Sequence, residues 1–266
     1  HSLNVMAGWN IEHKRARNTR MGRDGFIVDG KPNYSLMNGI DYVLEDANSY
    51  DWGFVGIFYR ASYAYKGKYL AELSGRYDGS SKFPSNERWG FFPSASVGWR
   101  MSEENFMKDI SWINNIKWRF SIGKAGNGNV SPYKYMELLG FNKAGVIVDG
   151  SQRTYTSAPS SVLPANLTWE TSSTINLGLD VNLLNNRLSL SLDYYYKYTK
   201  DMLMSVPLPS PYPNIMRNDG EMSNQGFEIT LSSVNIARKD FNWSTDLNVS
   251  LNRNKVEKLN LKQVYY

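Results

Sequence analysis

Apolar and polar residues alternate with a period of two through most of this chain, the pattern of strands that show different environments on their two faces. Nine segments carry it. Leu3, Val5, Ala7, Trp9 and Ile11 share a face against Asn4, Asn10 and Glu12. Val55, Ile57, Tyr59, Ala61, Tyr63 and Tyr65 enclose Arg60 and Ser62; Tyr69, Ala71, Leu73 and Tyr77 oppose Glu72, Ser74, Arg76 and Asp78. Phe91, Ala95, Val97 and Trp99 oppose Ser94, Ser96 and Arg100; Ile116, Trp118, Phe120 and Ile122 oppose Lys117, Arg119 and Ser121. In the second half, Ile175 to Leu183 sets Ile, Leu and Val against Asn176, Asp180 and Asn182. Leu188 to Tyr198 sets Leu and Tyr against Ser189, Ser191, Asp193 and Lys197. Phe227, Ile229 and Leu231 oppose Glu228 and Thr230, and Phe241, Trp243, Leu247, Val249 and Leu251 oppose Asp246, Asn248 and Ser250.

A soluble β-sandwich also alternates, because one face packs and the other is wet. Three features favour a membrane barrel. Several strands keep the pattern for the ~9–11 residues that a membrane-crossing strand needs, beyond the ~5–6 of an ordinary one. Connections alternate between short and long. Lys66-Gly67-Lys68, Asn185-Asn186 and Ala237-Arg238-Lys239-Asp240 are tight, and Met101 to Asn114 has room for a short helix capped by Ser102. The stretches from Lys14 to Asp51, Gly79 to Arg88, Gly126 to Thr168 and Met202 to Ser223 are long and rich in Gly, Pro, Asn and Ser, as extracellular loops are. Thirdly, Tyr63, Tyr65, Tyr69, Trp99, Trp118, Phe241 and Trp243 lie on the apolar face near short turns, where a barrel keeps its periplasmic membrane-interface aromatics. Tyr194, Tyr196 and Tyr198 fall toward the opposite rim.

Composition agrees. Aromatics make up 14% of the 266 residues, and the polar mean hydropathy is what strands with lipid on every second side chain produce. No apolar run approaches the ~20 residues of a spanning helix. The absence of cysteine removes disulfides and thiolate chemistry. The net charge of +5 is dispersed apart from Lys14-Arg15-Ala16-Arg17, read as a solvated or headgroup-facing patch rather than a nucleic-acid site. The strand-like ends, the lack of a leader within these residues and the odd strand count predict a piece of a longer barrel.

Candidate chemistry is sparse. His1 and His13 have no zinc or triad motif around them. Gly126-Asn127-Gly128-Asn129 lacks the Lys-Ser/Thr of a phosphate loop and reads as a strand breaking into a loop. Adjacent Glu103 and Glu104 cannot face one another across a glycoside and suit a helix start; Asp78 has no sequence-visible pairing with Asp180 or Asp193. Loop aromatics Tyr42, Trp52, Phe83, Trp89, Tyr133, Tyr135, Tyr155 and Tyr212 can stack on sugars or peptides, or pack the loops together. No catalytic residue, metal site or cofactor is expected.

The stretch Lys68 to Met107, KYLAELSGRYDGSSKFPSNERWGFFPSASVGWRMSEENFM, closely resembles the signature of the SusC/RagA family of TonB-linked outer-membrane proteins. So do Ser121 to Asn129, Pro164 to Glu170 with Ala165 intervening between Pro and Asn, Ile175 to Asp201, Gly220 to Glu228 and Trp243 to Val256. The resemblance implies an all-β fold: residues 1–266 would be a segment of a large antiparallel transmembrane β-barrel of roughly 22 strands around a plug, with the plug and remaining strands absent from this chain. It implies TonB-dependent import of oligosaccharides or oligopeptides, without covalent chemistry. It also implies a SusD-like surface lipoprotein at the mouth, contact with the TonB complex through an absent N-terminal region, and no nucleic acid. A soluble carbohydrate-binding β-sandwich is the alternative. No matched motif is a ligand signature. Alternation alone nominates Arg60, Arg76, Asp78, Arg100, Arg119, Asp180, Asp193 and Glu228 as lumen-facing substrate contacts. By the same reading, Gly79 permits a turn, Pro93 marks a bulge or strand start, and Gly98 and Gly178 leave room for a plug.

Overall fold

A computed structural model describes residues 1–24, 41–136, 140–148, 151–157, 167–207 and 215–259, and their side chains outside 23–24, 41–48 and 140–157. In chain order the strands are β1 (Ser2–Asp24), β2 (Asp41–Tyr65), β3 (Tyr69–Ser80), β4 (Trp89–Arg100), β5 (Ile113–Asn127), β6 (Gly140–Val148), β7 (Ser151–Ser157), β8 (Glu170–Leu183), β9 (Leu188–Lys200), β10 (Leu203–Val206), β11 (Ile215–Asn218), β12 (Gly220–Ala237) and β13 (Asn242–Leu259). Nine of them form one antiparallel sheet in the order β1-β2-β3-β4-β5-β8-β9-β12-β13, and they are the nine that alternation predicts. The pairs β6-β7 and β10-β11 are separate hairpins within stretches expected to be loop. The loop expected from Lys14 to Asp51 is largely strand as well, because β1 and β2 stay paired out to Asp24 and Asp41. Polar alternation there does not advertise a strand, since neither face of a solvent-exposed hairpin needs apolar residues.

The register carries each alternating set across the sheet. One row runs Leu3, Tyr63, Ala71, Val97, Phe120, Leu177, Tyr194, Phe227 and Leu251 through all nine strands. The next runs Asn4, Ser62, Glu72, Ser96, Ser121, Asn176, Tyr195, Gly226 and Asn252. In these rows one face is therefore apolar and the other mainly polar. The rows drift: Tyr63 stands beside the turn at Lys66, whereas Phe227 lies ten residues from the end of β12 at Ala237. That drift is the stagger of a tilted, barrel-forming sheet.

The apolar face is uncovered. Leu3, Trp9 and Leu251 are 68%, 73% and 67% exposed, so among the described residues no second sheet packs on the rows that a sandwich would bury. From Tyr65 to Val55 the apolar positions of β2 span ten residues, about 34 Å of strand. Tilted by roughly 40°, that gives the ~25 Å apolar band of an outer-membrane barrel. Among the described residues no helix is long and apolar enough to cross a membrane.

The turns follow local chemistry. Lys66 and Gly67 adopt positive φ between the paired Tyr65 and Tyr69. Leu184, Asn185 and Asn186 do so in succession, with Asn supplying the tolerance expected of it. The connection after β4 holds two 3-10 turns, Met101–Glu103 and Asn105–Met107. Ser102 does not cap them, since Arg100 and Glu104 occupy the two N-cap positions and the Ser102 hydroxyl is buried without a partner. Pro93 pairs with Gly75 inside β4, one residue beyond Ser94, where the β4-β5 ladder ends. A proline, which cannot donate to a ladder, stands where the pairing with β5 stops. Gly79 makes no turn: it lies within β3, where a Cβ would come within 2.7 Å of the Trp89 ring.

The compact core is small and lies at the long-loop end, on the polar side of the sheet. Phe83, Phe92, Val130, Leu167 and Trp169 are buried together, with Phe54, Tyr135, Leu203 and Met216 against them. The Trp169 indole N–H donates to the Arg88 carbonyl at 3.1 Å. The Asn218 side chain bonds both the N–H and the carbonyl of Thr168, at 2.9 and 2.8 Å.

Candidate functional site

The polar face holds two charge clusters, each made possible by a glycine. Arg119 on β5, Gly178 on β8 and Asp193 on β9 occupy one cross-strand row. A Cβ on Gly178 would lie 2.6 Å from the Arg119 Cζ and 2.7 Å from an Asp193 oxygen, so the guanidinium crosses β8 over a bare backbone. It donates to Asp180 at 2.8 and 2.9 Å and to Asp193 at 3.0 Å. The Ser191 hydroxyl bridges the two carboxylates at 2.9 and 3.2 Å. The space expected above Gly178 is thus taken by Arg119. Gly98 stays more open, its nearest neighbour being the Lys117 side chain at 3.4 Å.

The second cluster sits nearer the long loops. Arg76 donates to Asp78 at 3.1 and 3.0 Å and to Asn10 at 3.1 Å, and lies over the Phe58 ring at 5.5 Å. A Cβ on Gly56 would meet all three polar partners within 2.6 Å. Asp78 is buried and pairs with Arg76, while Asp180 and Asp193 are the aspartates that share a cation. Of the other nominated residues, Arg60 pairs with Glu72 at 3.4 Å and both are half exposed or nearly so. Glu228 is exposed on β12. Arg100 lies at the short-turn end, bound to Glu103 at 3.1 Å and to the Gly67 carbonyl at 3.4 Å. The structure therefore brings five of the eight into two clusters and leaves Arg60, Arg100 and Glu228 apart.

At the short-turn rim the aromatic row Tyr65, Tyr69, Trp99 and Trp118 is continuous, and Phe241 and Trp243 are exposed at the β12-β13 turn. Glu104, expected only to start a helix, gathers this rim. It accepts from the Tyr69 hydroxyl at 2.6 Å, the Lys68 ammonium at 3.0 Å and the Trp99 indole N–H at 3.3 Å. These bonds, the Tyr69 hydroxyl foremost, hold its carboxyl down at about 2. Because the folded value lies below the free one, the network is complete above about pH 4.5 and is lost as pH falls toward about 2. A pH titration of Trp99 fluorescence should stay flat down to about pH 3 and then change. Glu104→Gln should remove that transition.

Among the loop aromatics, packing prevails where side chains are described. Phe83 is fully buried and Tyr135 packs against the core. The Tyr133 hydroxyl donates to Asp51 at 2.8 Å. Trp89 belongs to β4 and stacks on Tyr77 at 5.0 Å on the apolar face, a second aromatic cluster that its loop assignment hid. Trp52 carries the Lys82 ammonium 4.4 Å over its ring, and burial pulls that ammonium below its usual range. Tyr212 and the side chains of Tyr42 and Tyr155 lie outside the described residues. Gly126 to Asn129 is a strand end, with the Asn129 N–H bonded to the Asn127 side chain at 3.0 Å.

An open arc with one bare apolar face and one charged polar face finds its counterpart among known proteins. The family model for the TonB dependent receptor-like β-barrel matches residues 2–261. The chain belongs to the TonB-dependent receptor β-barrel family. TonB-dependent receptor P3 of Formosa agariphila is 37% identical over 261 residues, 97% of this chain and 26% of that protein. TonB-dependent receptor SusC of Bacteroides thetaiotaomicron is 34% identical over 209 residues, 77% of this chain and 21% of that protein. In the structure of the RagAB peptide transporter, one chain superposes with a TM-score of 0.82 at 26% identity, covering 97% of this chain and 28% of that one. The chain thus spans about a quarter of the length of the relatives it matches. As in other TonB-dependent receptors, this wall lies in the bacterial outer membrane, with its apolar face to lipid.

The clusters explain what holds the wall's inner surface. Replacing Arg119 with Leu leaves Asp180 and Asp193 facing each other without their cation. A fully buried pair would lose ~3–5 kcal/mol. These groups are about one-third exposed, and screening lowers the expected loss to about 1–2 kcal/mol. Adding Asp180→Asn and Asp193→Asn should recover most of it in a urea titration, because the repulsion is then gone.

Proposed function

We propose that the complete protein imports an oligosaccharide or an oligopeptide across the outer membrane, without covalent chemistry. The observation that carries this reading is the pairing of a bare apolar face with a charged inner face on nine barrel strands that match the family along nearly their whole length. In this reading residues 1–266 are one part of a barrel whose plug and other strands lie elsewhere in the complete protein. TonB supplies the energy, and a SusD-like lipoprotein closes the extracellular mouth. Likeness to the RagAB peptide transporter supports the oligopeptide class; the partner and the oligosaccharide class rest on the resemblance to the SusC/RagA family. Tyr63, Tyr65, Tyr69, Trp99, Trp118, Phe241 and Trp243 serve as the periplasmic membrane-interface girdle.

Within the lumen the nominated residues divide by geometry. Arg119, Asp180 and Asp193, like Arg76 and Asp78, satisfy one another and stiffen the wall. Arg60 and Glu228 present charge to the channel, and Arg100 serves the periplasmic rim. The test is uptake by intact cells bearing the complete protein, using labelled oligosaccharide and oligopeptide pools, with and without a functional TonB. TonB-dependent accumulation of one pool is expected. Equal accumulation of both pools in cells lacking the protein would refute the reading.

A further inference from the structure

The basic run on β1 is divided between the two faces of the wall. By alternation Lys14 turns inward with Glu12, and both act on the charge of Lys82. Alternation turns His13, Arg15 and Arg17 outward, continuing the line Leu3, Val5, Ala7, Trp9 and Ile11. We propose that His13, Arg15 and Arg17 form a binding site for the phosphate groups of the glycolipid that makes up the outer leaflet.

The depth is right for this ligand. Ile11 pairs with Val55, ten residues along β2 from Tyr65 and so at the upper edge of the apolar band. Its row continues to Gly79 and Trp89, and the row below holds Trp9, Ile57, Tyr77 and Phe91. The stacked Tyr77 and Trp89 mark the extracellular interface, as aromatics do at both edges of a barrel. After strand tilt His13, Arg15 and Arg17 lie about 5, 10 and 15 Å above Ile11, so the set runs from within the headgroup layer, ~5–8 Å deep, to just above it, where long arginine side chains reach back toward it. An outward cation at that depth meets lipid phosphates, whereas substrate passes on the other side of the sheet.

The local chemistry also fits. Opposite His13, Arg15 and Arg17 on β2 stand Gly53, Asp51 and Ser49. Only Asp51 is anionic. It lies 3.8 Å from Arg15, which remains 60% exposed, and it already accepts from the Tyr133 hydroxyl. The outward set therefore keeps a net positive charge. Its members are spaced by two residues, roughly 7 Å, so separate phosphates of one headgroup can each meet a guanidinium fork.

The test uses the complete protein in non-ionic detergent, incubated with bis-phosphorylated lipid A or with its dephosphorylated form, and native mass spectrometry to count bound lipid. Wild type should retain the phosphorylated form. R15E/R17E should retain at least about tenfold less, as expected for two cations at an anionic surface. Lys14→Glu, one residue away but inward, should bind like wild type. Heat-modifiable gel migration reports folding, and if R15E/R17E fails to fold, R15Q/R17Q is measured in its place. Undiminished lipid A in the double variant, or equal loss with Lys14→Glu, would overturn the assignment. So would equal retention of the two lipid forms, or loss of a co-purifying lipoprotein with lipid A binding intact.

Discussion

Trp169→Ala is expected to destabilise the extracellular end of the wall by about 3–5 kcal/mol, the range for emptying a buried aromatic site. Trp169 is 8% exposed. Its ring lies 5.0 Å from Phe83 and 5.5 Å from Phe92, and its indole N–H ties the β3-β4 connection through Arg88. Four stretches of chain converge there: the β3-β4 loop through Phe83, β4 through Phe92, the residues after β5 through Val130, and the residues before β8 through Leu167 and Trp169. Removing the ring opens a cavity where all four meet. Limited proteolysis should therefore cut the Ser81 to Arg88 connection much faster in the variant, while the strands below remain paired. Trp169→Phe should restore most of the protection and lose only the bond to Arg88.

A charge on the lipid face is the second large effect. Leu177 lies near mid-height of β8, six residues above its periplasmic end at Leu183, and is exposed on the apolar face. Leu177→Arg should cost about 2–4 kcal/mol, the price of a guanidinium near the bilayer midplane. Asn176→Arg places the same charge one residue away on the inner face and should change stability by less than about 1 kcal/mol. Urea titrations in lipid vesicles measure both. Equal losses in the two variants would mean that the faces are wrongly assigned.

The contrast between these neighbours shows what could be read before any coordinates. Period-two alternation found all nine wall strands and assigned their faces, because a strand between lipid and water has a different solvent on each side. It did not find β6, β7, β10 or β11, which lie in stretches without that alternation, or the upper parts of β1 and β2; the residues of upper β1 are exposed on both faces, so its composition is free. Register was the other missing quantity. Arg119, Asp180 and Asp193 were each nominated separately, but their union across Gly178 depends on which residue of β8 stands beside which of β5 and β9. The role of Glu104 stayed hidden for the same reason, since its partners Lys68, Tyr69 and Trp99 come from two strand ends. Motif residues such as Phe83, Leu167 and Trp169 were visible as a resemblance, and the structure supplies their physical reason: they build a compact core at the loop end.

The drift of the cross-strand rows has a mechanical consequence. Tyr63 is near one end of its strand and Phe227 far along its own, although both belong to one row, so the strands run aslant to the axis of the pore. A pull along that axis slides neighbouring strands past each other and loads many amide bonds together, where a pull across the ladder would peel them one at a time. The wall is stiff along the axis of the barrel.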